Sequence, residues 1–300
     1  MEKVIIIGAG PAGISAALYA VRGNLDPLVI NNGIGALEKA EKIENYYGLD
    51  HSLSGQELYD TGIAQAKALG VRMLDAQVLG VGGFDTFVVK TTEGEFETQS
   101  LILATGSKRA APKIPGVKEF EGKGVSYCAI CDAFFYRGKD VAVLGNGDFA
   151  MHEARELSNT ASTVTVYTNG EEPEFTPEEN ISVNTMKIQS VEGDDLVSGI
   201  RLVPDVQAQK MSAEQQANDF CPADGVFIAM GTAGSTEIAR QMGAELTEKG
   251  NIKVNENMET TIPGLYAAGD CTGGLLQVAK AVYEGAQAGI NAGKYVRSLK

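Results

Sequence analysis

Cys128 and Cys131 are separated by two residues, and Asp132 follows at once. Two thiols at this spacing can close a small, reducible disulfide, and an adjacent acid can manage a proton during exchange. Four cysteines in 300 residues are too sparse for a secreted disulfide scaffold. A single CxxC cannot assemble a four-cysteine zinc or iron–sulfur site. Thiol–disulfide exchange at Cys128 and Cys131 is therefore the expected chemistry, with structural burial as the alternative. Cys221 has no partner in sequence, and Cys271 is expected to be a small packing residue. His51 and His152 lack metal-ligand spacing.

The elements that must position this pair begin at the N-terminus. Val4 to Ile7 is a continuous apolar run of the kind found in buried parallel strands. Gly8-Ala9-Gly10-Pro11-Ala12-Gly13 follows, and Ile14 to Ala20 reads as a helix. Strand, GxGxxG and helix together form the dinucleotide fingerprint: glycines permit a tight turn and close backbone approach, and the helix start receives a pyrophosphate. A second strand, Pro27 to Ile30, ends at Asn31-Asn32, where an acid usually meets the ribose hydroxyls. Asparagine can still bond a hydroxyl.

Ser54 with Glu57 predicts a capping box opening a helix to Leu69, which Gly70 ends. Strands are expected at 71–74, 87–90, 95–98 and 101–106, the last ending in the turn Ala104-Thr105-Gly106. Pro112, Pro115, Gly116, Gly122 and Gly124 mark a linker. Its Lys108, Arg109, Lys113, Lys118 and Lys123 are the densest basic group and read as a solvated linker. Beyond the CxxC, Asp140 to Leu144 opens a second strand, the turn Gly145-Asn146-Gly147 and a helix from about Asp148 to Leu157, followed by a strand at 163–167. The nucleotide-fold pattern thus occurs twice. Residues 171–195 are strongly acidic and 204–219 polar, which suggests a solvated hairpin or helix. Tyr266 to Asp270 places an acid at a strand end, and a helix is expected from about Leu276 to Leu299.

The net charge of -14 argues against nucleic acid, whose phosphates require a basic surface. No apolar run reaches the length of a membrane span. The chain enters a strand pattern directly from Met1, so a cytoplasmic protein is expected.

Taken in order, Gly8–Gly13, Ala104-Thr105-Gly106, Cys128–Asp132, the second glycine turn and Tyr266–Asp270 resemble the thioredoxin reductases of the low-molecular-weight bacterial type over nearly the whole length. The resemblance implies an α/β protein of two nucleotide-binding, three-layer ββα, Rossmann-like domains. The FAD domain would be discontinuous, 1–113 with 245–300, and 114–244 would carry the CxxC. It implies FAD on Gly8, Gly10, Pro11, Ala12, Gly13, Asn45, Ala104, Thr105, Gly106, Gly269, Asp270 and Gln277. Gln277 matches the second member of the family's Arg-Gln pair, while Leu276 replaces the arginine. It also implies that Cys131 faces the flavin, that Cys128 attacks the thioredoxin disulfide, that Asp132 is the proton donor, and that the protein is a homodimer. The dithiol would alternate between flavin and partner by domain rotation about linkers near 112–124 and 240–250.

The sequence departs from the NADPH-using members after the second glycine turn. Where a basic cluster should grip the 2′-phosphate stands Tyr167-Thr168-Asn169-Gly170-Glu171-Glu172, with no arginine or lysine from Thr160 to Met186. Asn146 and Phe149 are bulkier than a pyrophosphate turn favours, and Gly231-Thr232-Ala233-Gly234 replaces the usual Pro-Asn-Thr continuation. This pattern resembles the ferredoxin-dependent flavin thioredoxin reductases, and it implies ferredoxin as electron donor and thioredoxin as acceptor. The alternatives are NADPH or NADH as donor, another flavin or small redox protein as donor, and a non-enzymatic redox sensor.

Overall fold

A computed structural model describes every residue except 84, 107–111, 128, 205–218, 231–233 and 300; of Ile130 and Cys131 it describes the backbone alone. Cys128, the Cys131 side chain, Lys108, Arg109, the polar stretch 205–218 and Gly231 to Ala233 thus lie outside the described residues. The chain divides into two compact units, Met1–Arg109 with Gly234–Lys300, and Ala110–Ala233.

In chain order the first unit opens with β1 (Glu2–Ile7), α1 (Pro11–Arg22), β2 (Pro27–Asn31), α2 (Gly55–Ala68), β3 (Arg72–Asp75), β4 (Val78–Gly82), β5 (Phe87–Thr91) and β6 (Gly94–Leu103). The second unit holds β7 (Val125–Ser126), α3 (Ala129–Asp132), β8 (Asp140–Leu144), α4 (Asp148–Ser158), β9 (Thr163–Tyr167), β10 (Ser182–Asn184), β11 (Ile188–Gly193), β12 (Val197–Leu202), β13 (Phe220–Pro222) and β14 (Gly225–Ile228). The first unit then resumes with α5 (Ser235–Gln241), β15 (Leu265–Ala267) and α6 (Val278–Ser298).

The first unit is built on a seven-stranded sheet in the order β3-β2-β1-β6-β5-β4, with β15 also paired to β6. β1, β2, β3, β6 and β15 run parallel, while β4 and β5 add an antiparallel ribbon. β1 and β6 supply the centre, where Val4 to Ile6 and Leu101 to Leu103 are fully buried. For β6 the sequence pattern predicts two strands, 95–98 and 101–106, parted at a polar middle. The structure runs it through, because Thr98 and Ser100 are buried with their hydroxyls satisfied: Thr98 donates to Ser100 O and Ser100 to Gly264 O, both at 2.8 Å. One half of β6 pairs with β5 and the other with β1 and β15.

α1 and α6 meet backbone to backbone. A Cβ added at Gly285 would lie 2.0 Å from Ala12 O, and one at Gly289 2.3 Å from Ala16 O. The small residues Ala12, Ala16, Ala288 and Ala292 line the same buried seam. This crossing sets the position of the turn that precedes α6 against the start of α1.

The family resemblance implies that 234–244 belongs with the CxxC-bearing segment 114–244. In the structure that stretch groups with the first unit, because Thr105 and Ser235 bond each other directly. The second unit has a five-stranded parallel sheet, β10-β9-β8-β14-β7, and a three-stranded antiparallel sheet, β11-β12-β13. Within the acidic stretch 171–195 the chain forms β10 and β11, whose apolar residues Ile188 and Val191 join a core with Val117, Ile200 and Leu202. No helix among the described residues is long and apolar enough to cross a membrane.

Candidate functional site

In the first unit, the turn after β1 is shaped by contact. Gly8 has φ 106°, and a Cβ there would lie 2.4 Å from Ala104 O. A Cβ at Gly13 would lie 1.8 Å from Gly8 O, so only glycine lets α1 start so close to β1. Gly10 caps α1 without any side-chain bond, Pro11 opens the helix, and the space over Gly10 is free for at least 4 Å. Ala104 is anchored by its N–H to Ile7 O at 2.8 Å. Thr105 lies beside it, but its hydroxyl is engaged: it sits 2.8 Å from Ser235 Oγ and accepts the Ser235 N–H at 2.9 Å. Gly106 has φ 83° and open space about it.

The α1–α6 crossing brings Gly269 to the same turn, where its added Cβ would lie 2.9 Å from Ala12 Cβ. Asn45 and Gln277 also meet, the amide Nδ2 donating to Oε1 at 2.9 Å. The structure therefore unites Gly8–Gly13 with Ala104 and Gly269, and Asn45 with Gln277.

Two residues that sequence reading did not single out hold the Gly269–Asp270 turn. Glu284 Oε2 accepts the Gly269 N–H at 2.8 Å, and Lys280 Nζ donates to Gly269 O at 2.9 Å. Lys280 and Glu284 pair at 3.0 Å, with Thr272 bonded to both. Their i,i+4 spacing in the first half of α6 was the available signal. Burial raises the Asp270 pKa above its usual value; Lys280 opposes the rise and Glu284 adds to it. Cys271 is buried, with Sγ 3.3 Å from Ala268 O, and burial pushes its thiol up to about 12. It is a packing residue with an inert thiol.

At the end of β2, Asn31 is occupied by the protein. Its amide donates to Asp75 Oδ1 and its carbonyl accepts from Tyr59, both at 2.7 Å. β2 thus ends on an asparagine bonded to the Asp75 carboxylate of the neighbouring β3.

In the second unit, α3 carries the backbone from Ala129 to Asp132. Ser126 donates to Asp132 Oδ2 at 2.6 Å, which orients that carboxylate. Glu153 of α4, another residue the sequence did not flag, accepts the Ala129 N–H at 2.6 Å. Phe134 and Phe135 follow the motif and stand 71% and 68% exposed, packed edge to face.

The second glycine turn differs from the first in what lies on it. Asn146 O accepts the Glu174 N–H at 2.7 Å, which ties the segment after β9 to the turn. Phe175 of that segment is buried, while Glu171 and Glu172 are exposed. Asn169 takes φ 57° and its Oδ1 accepts the Ile188 N–H at 2.9 Å. The stem of Lys187 packs beside Gly170. No group of three His, Cys, Asp or Glu residues that could hold a metal occurs among the described residues.

The pyridine nucleotide-disulphide oxidoreductase pattern matches residues 2–285. The chain belongs to this family. As a family member it is a flavin disulfide oxidoreductase, and FAD is its cofactor. The thioredoxin reductase of Listeria monocytogenes is 33% identical over 99% of this chain and 94% of that protein. That of Aquifex aeolicus is 36% identical over 89% of this chain and 84% of its own length. Among solved structures, the atypical thioredoxin reductase TRi of Desulfovibrio vulgaris Hildenborough is 38% identical, covers 99% of both chains and superposes with a TM-score of 0.89. A ferredoxin-flavin thioredoxin reductase of Clostridium acetobutylicum is 30% identical over 99% of this chain and 98% of its own, with a TM-score of 0.69.

The first unit of this disulphide oxidoreductase fits its flavin nucleotide. The helix start is uncapped by any side chain, the space above Gly10 is open, and Gly8 and Gly13 leave no room for a Cβ on the sheet side.

Proposed function

We propose that the chain is a thioredoxin reductase that takes electrons from reduced ferredoxin and passes them through FAD and the Cys128–Cys131 pair to the thioredoxin disulfide. The observation that carries this reading is the second glycine turn, where the Glu174 N–H bonds Asn146 O and the segment so tied to the turn carries the exposed Glu171 and Glu172. A 2′-phosphate would need cations there, and each carboxylate in contact with it costs on the order of 1 kcal/mol at a solvent-like surface. A second reading, with a pyridine nucleotide as donor, draws on the family's name and on Lys187 beside Gly170.

In this proposal FAD is held by Gly8, Gly10, Pro11, Ala12 and Gly13 at the pyrophosphate, by Ala104, Thr105 and Gly106, and by Asn45, Gly269, Asp270 and Gln277. FAD, when bound, accepts electrons singly and yields them in pairs. Cys131 receives the pair at the disulfide, and Cys128 leaves as a thiolate. Cys128 then attacks the thioredoxin disulfide, forming a mixed disulfide and expelling one thioredoxin thiolate. Cys131 attacks Cys128, releasing the second thiolate and restoring the Cys128–Cys131 disulfide. Asp132, aligned by Ser126, handles a proton in this exchange. The exposed Phe134 and Phe135 beside the motif suit a protein partner better than a small disulfide. A homodimer completes the proposal.

The test replaces Cys131 by serine. Cys128 should then form a mixed disulfide with oxidised thioredoxin, captured by acid quenching and alkylation before the freed thioredoxin thiolate reverses it, while the wild-type holoenzyme turns over with reduced ferredoxin and thioredoxin. No trapped complex, together with no turnover, would contradict the reading.

A further inference from the structure

Glu153 is 1% exposed on the inner side of α4, where Phe149, Ala150, Ala154 and Leu157 are also buried. A carboxyl group in such a place is costly unless it is hydrogen-bonded and paired or kept neutral. Its Oε2 accepts the Ala129 N–H at 2.6 Å, and its Oε1 has no hydrogen-bond partner among the described residues. Ala129 follows Cys128 directly and precedes Cys131 by two positions, so the bonded N–H belongs to the Cys128–Ala129 peptide, the first of the three that link the two cysteines.

The charged and titratable groups of the surrounding elements are few. α4 itself brings Asp148, His152, Glu156 and Arg155, which pairs with Glu178, and α3 brings Asp132, which is bonded to Ser126. The strands packed against α4 carry Asp140 on β8 and Tyr167 on β9. Burial pushes the Glu153 carboxyl up to about 7; the Ala129 hydrogen bond opposes the rise and Glu156 adds to it.

We propose that Glu153 is a positioning residue of the thiol–disulfide centre of Cys128 and Cys131: its carboxyl group holds the Cys128–Ala129 peptide, and its charge sets how readily that pair of cysteines is reduced. The inference rests on the redox reading of the two cysteines. A disulfide is neutral, whereas its reduced form carries a thiolate, which a nearby carboxylate repels. The carboxyl therefore keeps its proton more firmly when the pair is reduced. By linkage, the pair is harder to reduce once Glu153 is ionised.

The experiment measures the equilibrium of the wild-type holoenzyme's dithiol with a reference dithiol, dithiothreitol, from about pH 6 to about pH 8, the window around the raised carboxyl. The same series is run on Glu153→Gln and Glu153→Leu, with flavin absorbance and Tm as controls for folding. The wild type should show a break near neutral pH, its reduction constant falling several-fold relative to the reference. Glu153→Gln keeps an acceptor for the Ala129 N–H but carries no charge, and it should lose the break in the reduction constant. Glu153→Leu leaves that N–H unpaired and should slow the reaction roughly tenfold. A Glu153→Gln enzyme with the wild-type pH curve overturns the proposal, and so does a wild type without a break, whether or not the variants fold. Failure of the underlying reading is distinct: the wild type would then take up no electron pair beyond the flavin's, with no disulfide to titrate.

Discussion

Replacing Glu284 by leucine tests how the flavin-side turn is held. Its carboxylate accepts the Gly269 N–H at 2.8 Å, lies 2.9 Å from the Thr272 hydroxyl and pairs with Lys280 at 3.0 Å. The variant would leave a half-buried ammonium without its counter-ion and an amide without its acceptor. Breaking a buried pair costs roughly 3–5 kcal/mol, and an unpaired buried N–H about 1–3 kcal/mol. The Lys280 and Glu284 side chains are 16% and 11% exposed, so some water reaches them and Lys280 keeps its bonds to Gly269 O and Thr272. We therefore expect a loss of about 3 kcal/mol, the lower end of the range. In a domain of this size that is a drop in Tm of roughly 6–12 °C. Because Gly269 sits against Ala12, FAD should also dissociate more readily, read from the ratio of flavin to protein absorbance after gel filtration. Glu284→Gln, which keeps an acceptor, should lose less on both counts. A Glu284→Leu protein that melts with the wild type and retains its flavin would refute the idea that this pair shapes the turn.

Gly13→Ala puts a Cβ 1.8 Å from Gly8 O, so the purified variant should lack flavin absorbance. Thr105→Val removes two hydrogen bonds to Ser235 and should cost about 1–2 kcal/mol in denaturant unfolding followed by flavin fluorescence. Burial raises the Glu153 carboxyl to about 7 from 4.5, so between those values the folded state binds a proton that the unfolded state has released. Stability should fall as pH rises through that window, by on the order of 3 kcal/mol in all, and stay level above it. Glu153→Gln should flatten this slope in a series of Tm against pH; an unchanged slope would remove Glu153 as its cause.

Local signals in this sequence were sound, and non-local ones were silent. The Ser54–Glu57 capping box forms as its spacing predicts, with Ser54 N–H donating to Glu57 Oε2 and Glu57 N–H to Ser54 Oγ. The glycine turn at 8–13 was legible because its chemistry depends on residues within one turn. The pairing of Asn31 with Asp75 was not, because it depends on β3 lying beside β2, 44 positions along the chain. Glu153 was invisible for the same reason: nothing in the helix sequence says that its inner face meets the CxxC peptide. The continuous β6 was missed because Thr98 and Ser100 look like a break until their buried partners are known.

If the second glycine turn has given up the phosphorylated dinucleotide, anaerobic stopped-flow mixing will reveal which donor reduces the flavin. The oxidised holoenzyme is mixed in turn with reduced ferredoxin, NADPH and NADH while flavin absorbance is followed. Reduced ferredoxin should bleach the flavin rapidly, and neither nicotinamide should do so on the timescale of turnover. Rapid bleaching by NADPH would contradict this expectation.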